Sequence, residues 1–147
     1  MSFQPYIESE VKIAKARCNY ILRACASKDP IFLFKIFTRY VRPILEYATV
    51  IWSPLEKKLI RKVESVQKQF TYRTFKRANI KYLNYENRLR ILKAKSLQVR
   101  RDHTDLTMLH MIMHKKVNVS GTELFDMSRS IIRTRRHKFS IRPTPAY

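Results

Sequence analysis

Hydrophobic positions recur at three- and four-residue steps along most of this chain, the spacing of side chains that share one face of an α-helix. From Pro5 to about Ala26 the series is Ile7, Val11, Ala14, Cys18, Ile21, Leu22 and Cys25, with Lys12, Lys15 and Arg23 on the other side. Lys28-Asp29-Pro30 then supplies a stop and a new start, Asp29 as N-cap and Pro30 in the first turn. The second helix, about Pro30 to Arg42, is apolar nearly all round: Ile31, Phe32, Leu33, Phe34, Ile36, Phe37, Tyr40 and Val41. Its polar stripe, Lys35, Arg39 and Arg42, is narrow, which predicts a helix in the middle of a bundle with one basic edge reaching out.

Pro43 bends the chain, since it lacks an N–H and suits only the start of a helix, and Ile44 to Trp52 is expected as a short buried helix. Ser53-Pro54 is the next cap-and-first-turn pair, opening a long helix to about Lys76. Leu59, Val63, Val66 and Phe70 take heptad positions on its inner face, while Lys57, Lys58, Arg61, Lys62, Lys68, Arg73 and Lys76 occupy the rest. Asn84 caps a shorter helix through Leu89, Ile91 and Leu92, with Glu86 in the first turn, where the helix dipole favours an acid. Ser96 caps a final helix to about Lys116, whose Leu106, Leu109, Ile112 and Met113 are expected to face inward. Residues 121–128 can form one more turn. From Arg129 the sequence is rich in Ser, Arg and Pro and reads as an extended tail, with a strand-like piece near residues 138–141.

These elements predict an all-α fold, a bundle of about five to six helices over residues 1–128, followed by an extended basic tail over 129–147. A single Gly in 147 residues supports this, because hairpins, phosphate-cradling loops and sandwiches all need positive-φ positions. Hydrophobic residues make up 45% of the chain, enough for a core and too many for wholesale disorder.

Charge changes the picture. Thirty-one Lys and Arg stand against eleven Asp and Glu, a formal net charge of +20. That exceeds what solubility requires and raises the energy of the isolated fold by self-repulsion. A polyanion would relieve it; nucleic acid is the first candidate, an anionic membrane surface the second. Cys18 and Cys25 lie about 10 Å apart along one helix face, too far for a disulfide, so they read as reduced thiols in an intracellular protein. The start of the chain has no signal-peptide pattern. The uncharged run from Tyr47 to Leu55 is half the length needed to span a bilayer. A soluble protein is expected.

Signals for chemistry are weak by comparison. Two-metal nucleotidyl transfer needs converging carboxylates, and no Asp-Asp pair occurs. Asp102 and Asp105, beside Arg100 and Arg101, read as surface salt-bridge partners. His110 and His114 have a spacing that can hold zinc, but no Glu completes the metalloprotease pattern; they read as partly buried helix residues in a Met-rich patch. No catalytic group, metal, cofactor or small-molecule substrate is expected. The basic residues form the candidate site: Lys35, Arg39 and Arg42; Lys57, Lys58, Arg61, Lys62 and Lys68; Arg100 and Arg101; and in the tail Arg133, Arg135, Arg136, His137 and Lys138. Such side chains fix phosphates with little sequence preference, and Phe139 or Tyr147 could stack on a base. A solvated basic surface with no dedicated ligand stays open. Trp52, within its apolar run, reads as core.

The thirteen residues from Arg42 to Pro54 add a different kind of information. Val41-Arg42-Pro43-Ile44-Leu45-Glu46-Tyr47 followed by Trp52-Ser53-Pro54 resembles the "VRPxLEYxxxxWSP" signature of non-LTR (LINE-type, jockey-like) retrotransposon reverse transcriptases. Upstream, Ile13-Ala14-Lys15-Ala16-Arg17 through Ile21-Leu22-Arg23 is similar to that family's "xKAxxRxxxILR" helix. Downstream, Lys57-Lys58, Val63 to Gln67 and Phe70-Thr71 resemble "KKDxxxLExVQRxFT". Tyr85 to Leu89 resembles "YExRL"; Ser96-Leu97 with Arg100-Arg101 and Asp105-Leu106 resembles "SLxxRRxxxDL"; Arg133 to His137 resembles "TRTRGH". Six pieces in order and spacing are more specific than any one. The chain departs from the family where it places Asp102-His103-Thr104-Asp105 and Arg136, positions at which the family usually has a Gly.

The resemblance implies the helical thumb and following region of such an enzyme, without the palm that carries the Tyr-x-Asp-Asp hairpin. It implies partners: RNA template, DNA primer or their hybrid, and an upstream catalytic domain. Two other readings remain at this point. One is a domesticated helical interaction module whose basic surface meets an acidic protein. The other is a helix-turn-helix regulator, which would need an exposed recognition face of Asn, Gln and Arg.

Overall fold

A computed structural model describes residues 3–47, 49–52 and 56–118, which are all-helical, with no strand among them. The helices are α1 (Gln4–Ala24), α2 (Pro30–Tyr40), α3 (Arg42–Glu46), α4 (Thr49–Trp52), α5 (Lys57–Arg77), α6 (Tyr85–Ile91) and α7 (Leu97–Met113). The chain divides into two units, Met1–His103 and Thr104–Tyr147. The boundary anticipated at 128/129, and the tail beyond it, lie outside the described residues.

In the first unit α1, α2 and α5 pack on one another, α3 closes against α1 and α2, and α6 lies on α5. The apolar stripes read from the sequence supply the core: Ile7, Val11, Ala14, Cys18, Ile21 and Leu22 of α1 meet Leu33, Phe34 and Phe37 of α2 and Leu59, Val63, Val66 and Phe70 of α5. Phe37 is stacked between Phe34, 5.6 Å away, and Phe70, 4.9 Å away. Trp52 is buried as expected, and its indole N–H donates to the carbonyl of Tyr47 at 2.6 Å.

Helix starts follow local chemistry. Both carboxylate oxygens of Asp29 accept from the first turn of α2, from Ile31 N at 2.9 Å and Phe32 N at 3.2 Å. Asn84 accepts from Asn87 N at 2.9 Å at the start of α6, and the Ser96 hydroxyl accepts from Val99 N at 3.2 Å in α7. The ends are less expected. Asn79, Lys93 and Lys115 adopt left-handed backbone with φ of 55°, 50° and 53°. Each lets the following N–H reach back five residues to a helical carbonyl, as in Ala94 N to Leu89 O at 2.9 Å. A glycine would take that conformation without a Cβ clash; this chain uses Asn and Lys.

Four expectations need correction. The second helix is not buried all round, for Ile31, Phe32 and Tyr40 are 49%, 47% and 59% exposed. Its hydrophobicity exceeds the area that α1, α3 and α5 can cover. The stretch after Pro43 is not one helix: it breaks at Tyr47, whose extended backbone ends α3. Val50 and Ile51 of α4 face outward. The long helix begins at Lys57, with Glu56 as N-cap, rather than at Ser53-Pro54, which fall outside the described residues. In the second unit Ile112 is buried, and Leu109 and Met113 are half-buried, but Leu106 is exposed.

Candidate nucleic-acid interface

The scarce acids of the first unit are largely engaged within the fold. Glu64, the one acid within α5, turns toward α6 and α7. It accepts from Leu97 N at 3.2 Å and Gln98 N at 3.1 Å, and from the Tyr85 hydroxyl. A carboxylate there meets the positive end of the α7 dipole. Burial and this same carboxylate push the Tyr85 phenol above its ordinary range. Glu46 forks between two arginines, accepting from Arg100 Nε and, at 3.0 Å, Nη2, with Arg42 Nε 3.8 Å away. The contact with Glu46 raises the Arg100 guanidinium, whereas burial and the neighbouring Arg100 lower that of Arg42. Glu8 accepts from Lys62 Nζ at 2.7 Å, which holds its carboxyl below the ordinary value.

These contacts sort the expected cations. Arg101 is a correction: it is only 2% exposed, and its Nη2 donates to Gln98 Oε1 at 2.7 Å. A guanidinium inside the fold is not a surface phosphate contact. Arg42, Arg100 and Lys62 already hold carboxylates and would have to leave them to grip an anion. Asp102, expected to pair with arginine, accepts from Gln98 Nε2 at 2.8 Å. Arg133, Arg135, Arg136, His137 and Lys138 lie outside the described residues.

Lys35 and Arg39 on α2, and Lys57, Lys58, Arg61 and Lys68 on α5, are exposed. On α5 the pattern extends to Lys76. At about 3.6 residues per turn, positions 57, 58, 61, 68 and 76 fall within little more than a quarter of the helix circumference. Among the described residues no carboxylate lies within ion-pair distance of these five. Arg61 also borders a groove of about 540 Å³ that carries Glu64, Glu86 and Arg90, so the cationic face is purest from Lys68 onward.

Beneath the C-terminal half of that face, α5 and α6 meet through polar groups. Arg88, 3% exposed, donates to Leu83 O at 2.7 Å, Thr71 Oγ1 at 3.3 Å and Lys68 O at 3.3 Å. Its guanidinium lies over the rings of Tyr72 and Tyr85, at 5.8 and 5.7 Å. Gln67, fully buried, donates to the Tyr85 hydroxyl at 3.0 Å and Lys95 O at 3.1 Å. Reading by residue type missed Arg88 and Tyr85, since an arginine in a basic chain gives no sign of being buried.

Cys18 and Cys25 are free thiols, and burial pushes that of Cys18 up to about 12. His110 and His114 are exposed rather than partly buried, with ring centroids 4.3 Å apart. No group of three potential metal ligands occurs among the described residues, and no helix among them is long and apolar enough to cross a membrane.

An uncharacterized protein of Caenorhabditis elegans is 30% identical over 113 residues, which is 77% of this chain and 57% of that protein. The chain therefore spans little more than half the length of that relative. No family model matches the sequence. No solved structure matches it.

Proposed function

We propose that this chain is a C-terminal helical region of a retrotransposon-type RNA-directed DNA polymerase, and that it grips template–primer nucleic acid through phosphates without supplying a catalytic group. The observation that carries the binding reading is the outer face of α5. Lys57, Lys58, Arg61, Lys68 and Lys76 stand exposed there, and the helix's own acid is turned inward. An array of cations on a rigid rod, with no carboxylate at ion-pair distance among the described residues, fits a regularly spaced polyanion better than a compact acidic patch. The assignment to the polymerase region rests on the motif resemblance. Several of its residues occupy structural positions in this fold: Pro43 opens α3, Trp52 is core, Glu46 and Arg100 pair, and Tyr85 and Arg88 order α6.

The test is a salt titration of binding to an RNA–DNA hybrid. Full use of the five α5 cations gives a log–log slope of about −4 to −5. Arg61→Glu with Lys68→Glu should flatten that slope by about 2 and weaken binding on every sequence. Lys62→Gln should change it little, because that lysine already holds Glu8. Affinity that ignores salt, or a charge-reversed pair that binds as the parent does, overturns the reading. Failure to bind any nucleic acid alongside tight capture of an acidic protein favours the interaction-module alternative.

A further inference from the structure

After α5 the chain reverses at Asn79, and Tyr82 returns to the side of Tyr72. The two rings meet edge to face, with centroids 6.4 Å apart and planes inclined at 61°. Despite this contact Tyr72 is 42% exposed and Tyr82 79%. Tyr72 is the anchored member of the pair. Buried Arg88 lies over the Tyr72 ring and is itself fixed by the carbonyls of Leu83 and Lys68 and by Thr71. One aromatic surface is thus set in place from within while the rest of the pair is left in water.

Exposed aromatic area is costly to hydrate, and a ring already held in position loses little conformational freedom when a flat ligand stacks on it. The surroundings say which flat ligand. Tyr72 lies one helical turn from Lys68 on one side and from Lys76 on the other, on the same face of α5, and exposed Lys81 adjoins Tyr82 in the chain. Aromatic faces flanked by lysines suit a strand that offers bases and phosphates in alternation. In a closed duplex the bases already stack on one another and present no free face.

We propose that Tyr72 and Tyr82 form a stacking site for unpaired nucleobases, with Lys68, Lys76 and Lys81 holding the flanking phosphates of a single strand. This rests on the phosphate-gripping reading above and sharpens it: the C-terminal end of the α5 face takes single-stranded nucleic acid, and the remainder tolerates any backbone.

The test is fluorescence anisotropy with the full chain at one fixed salt concentration, on three probes: a short oligothymidylate, an abasic strand of equal length, and a duplex. The parent protein should bind oligothymidylate more tightly than the abasic strand, by roughly tenfold for each base that stacks. Tyr82→Ala should erase that margin and leave duplex affinity unchanged, while Tyr82→Phe should keep it. Tyr82 is exposed enough for truncation to spare the fold; Tyr72→Leu, checked by circular dichroism, is the second variant. Equal affinity of the parent for oligothymidylate and the abasic strand overturns the stacking site and leaves the phosphate reading standing, as does a margin that survives Tyr82→Ala. Failure to bind all three probes overturns both.

Discussion

Single residues in this protein are governed by who their neighbours are. Lys62 and Arg61 are adjacent in sequence, yet Lys62 holds Glu8 across the α1–α5 contact and Arg61 faces outward. Cys18 and Cys25 differ in the same way: Cys18 is inside the core and Cys25 only half-buried. With the Cys18 thiol pushed up to about 12, the native state keeps a proton that the unfolded chain loses from about pH 8.5 upward. Its contribution is therefore complete below that value and falls as pH rises toward about 12. Unfolding free energy should decline through this alkaline window, and Cys18→Ala should remove part of the slope. Alkylation at pH 8 checks the same point: Cys25 should react in the native protein and Cys18 only after denaturant is added.

At the scale of elements, helix ends carry much of the specificity. α7 begins with the Ser96 hydroxyl on Val99 N and the Glu64 carboxylate on Leu97 N and Gln98 N. Glu64→Ala would strip two N–H groups and the Tyr85 hydroxyl of their shared acceptor. We expect a loss of about 2–3 kcal/mol in chemical denaturation, with the salt slope of nucleic-acid binding unchanged. Helix closure by left-handed Lys93 is suboptimal, because its Cβ crowds the backbone at about 1–2 kcal/mol. Lys93→Gly removes that clash but frees the unfolded chain, at roughly 0.5–1 kcal/mol. The net gain should be up to about 1.5 kcal/mol, read as a raised denaturation midpoint at constant m-value. The helix starts at Asp29, Asn84 and Ser96 were legible because a capping side chain acts within three residues of itself. The break at Tyr47 was not, since the stretch from Ile44 to Trp52, apolar but for Glu46 and Thr49, holds no Gly or Pro to stop a helix.

For the molecule as a whole, charge sets the terms. With +20 formal charges and Glu8, Asp29, Glu46 and Glu64 engaged inside the first unit, repulsion among surface cations opposes folding. Salt or a polyanion should therefore stabilise the protein. We expect the thermal midpoint to rise by several degrees with heparin or a nucleic-acid strand in excess over the dissociation constant, through mass action on the folded state. A midpoint unmoved by either would show that the cations are too dispersed to act together. The α5 face was recognisable beforehand in Lys57, Lys58, Arg61 and Lys68. The withdrawal of Arg100 and Lys62 from the free set was not, because Glu46 and Glu8 lie on other elements, nor was that of Arg101, which packing buries.

By itself the sequence determined the helices, the stripes that bury them and the sign of the surface. Those depend on side-chain period and composition, which act over a few residues and do not need the rest of the chain. Tertiary structure alone decided which cations remain available, which arginine is buried beneath two rings, and that Tyr72 and Tyr82 meet. Those outcomes require groups distant along the chain to come within hydrogen-bond or van der Waals reach, and no local pattern records that proximity.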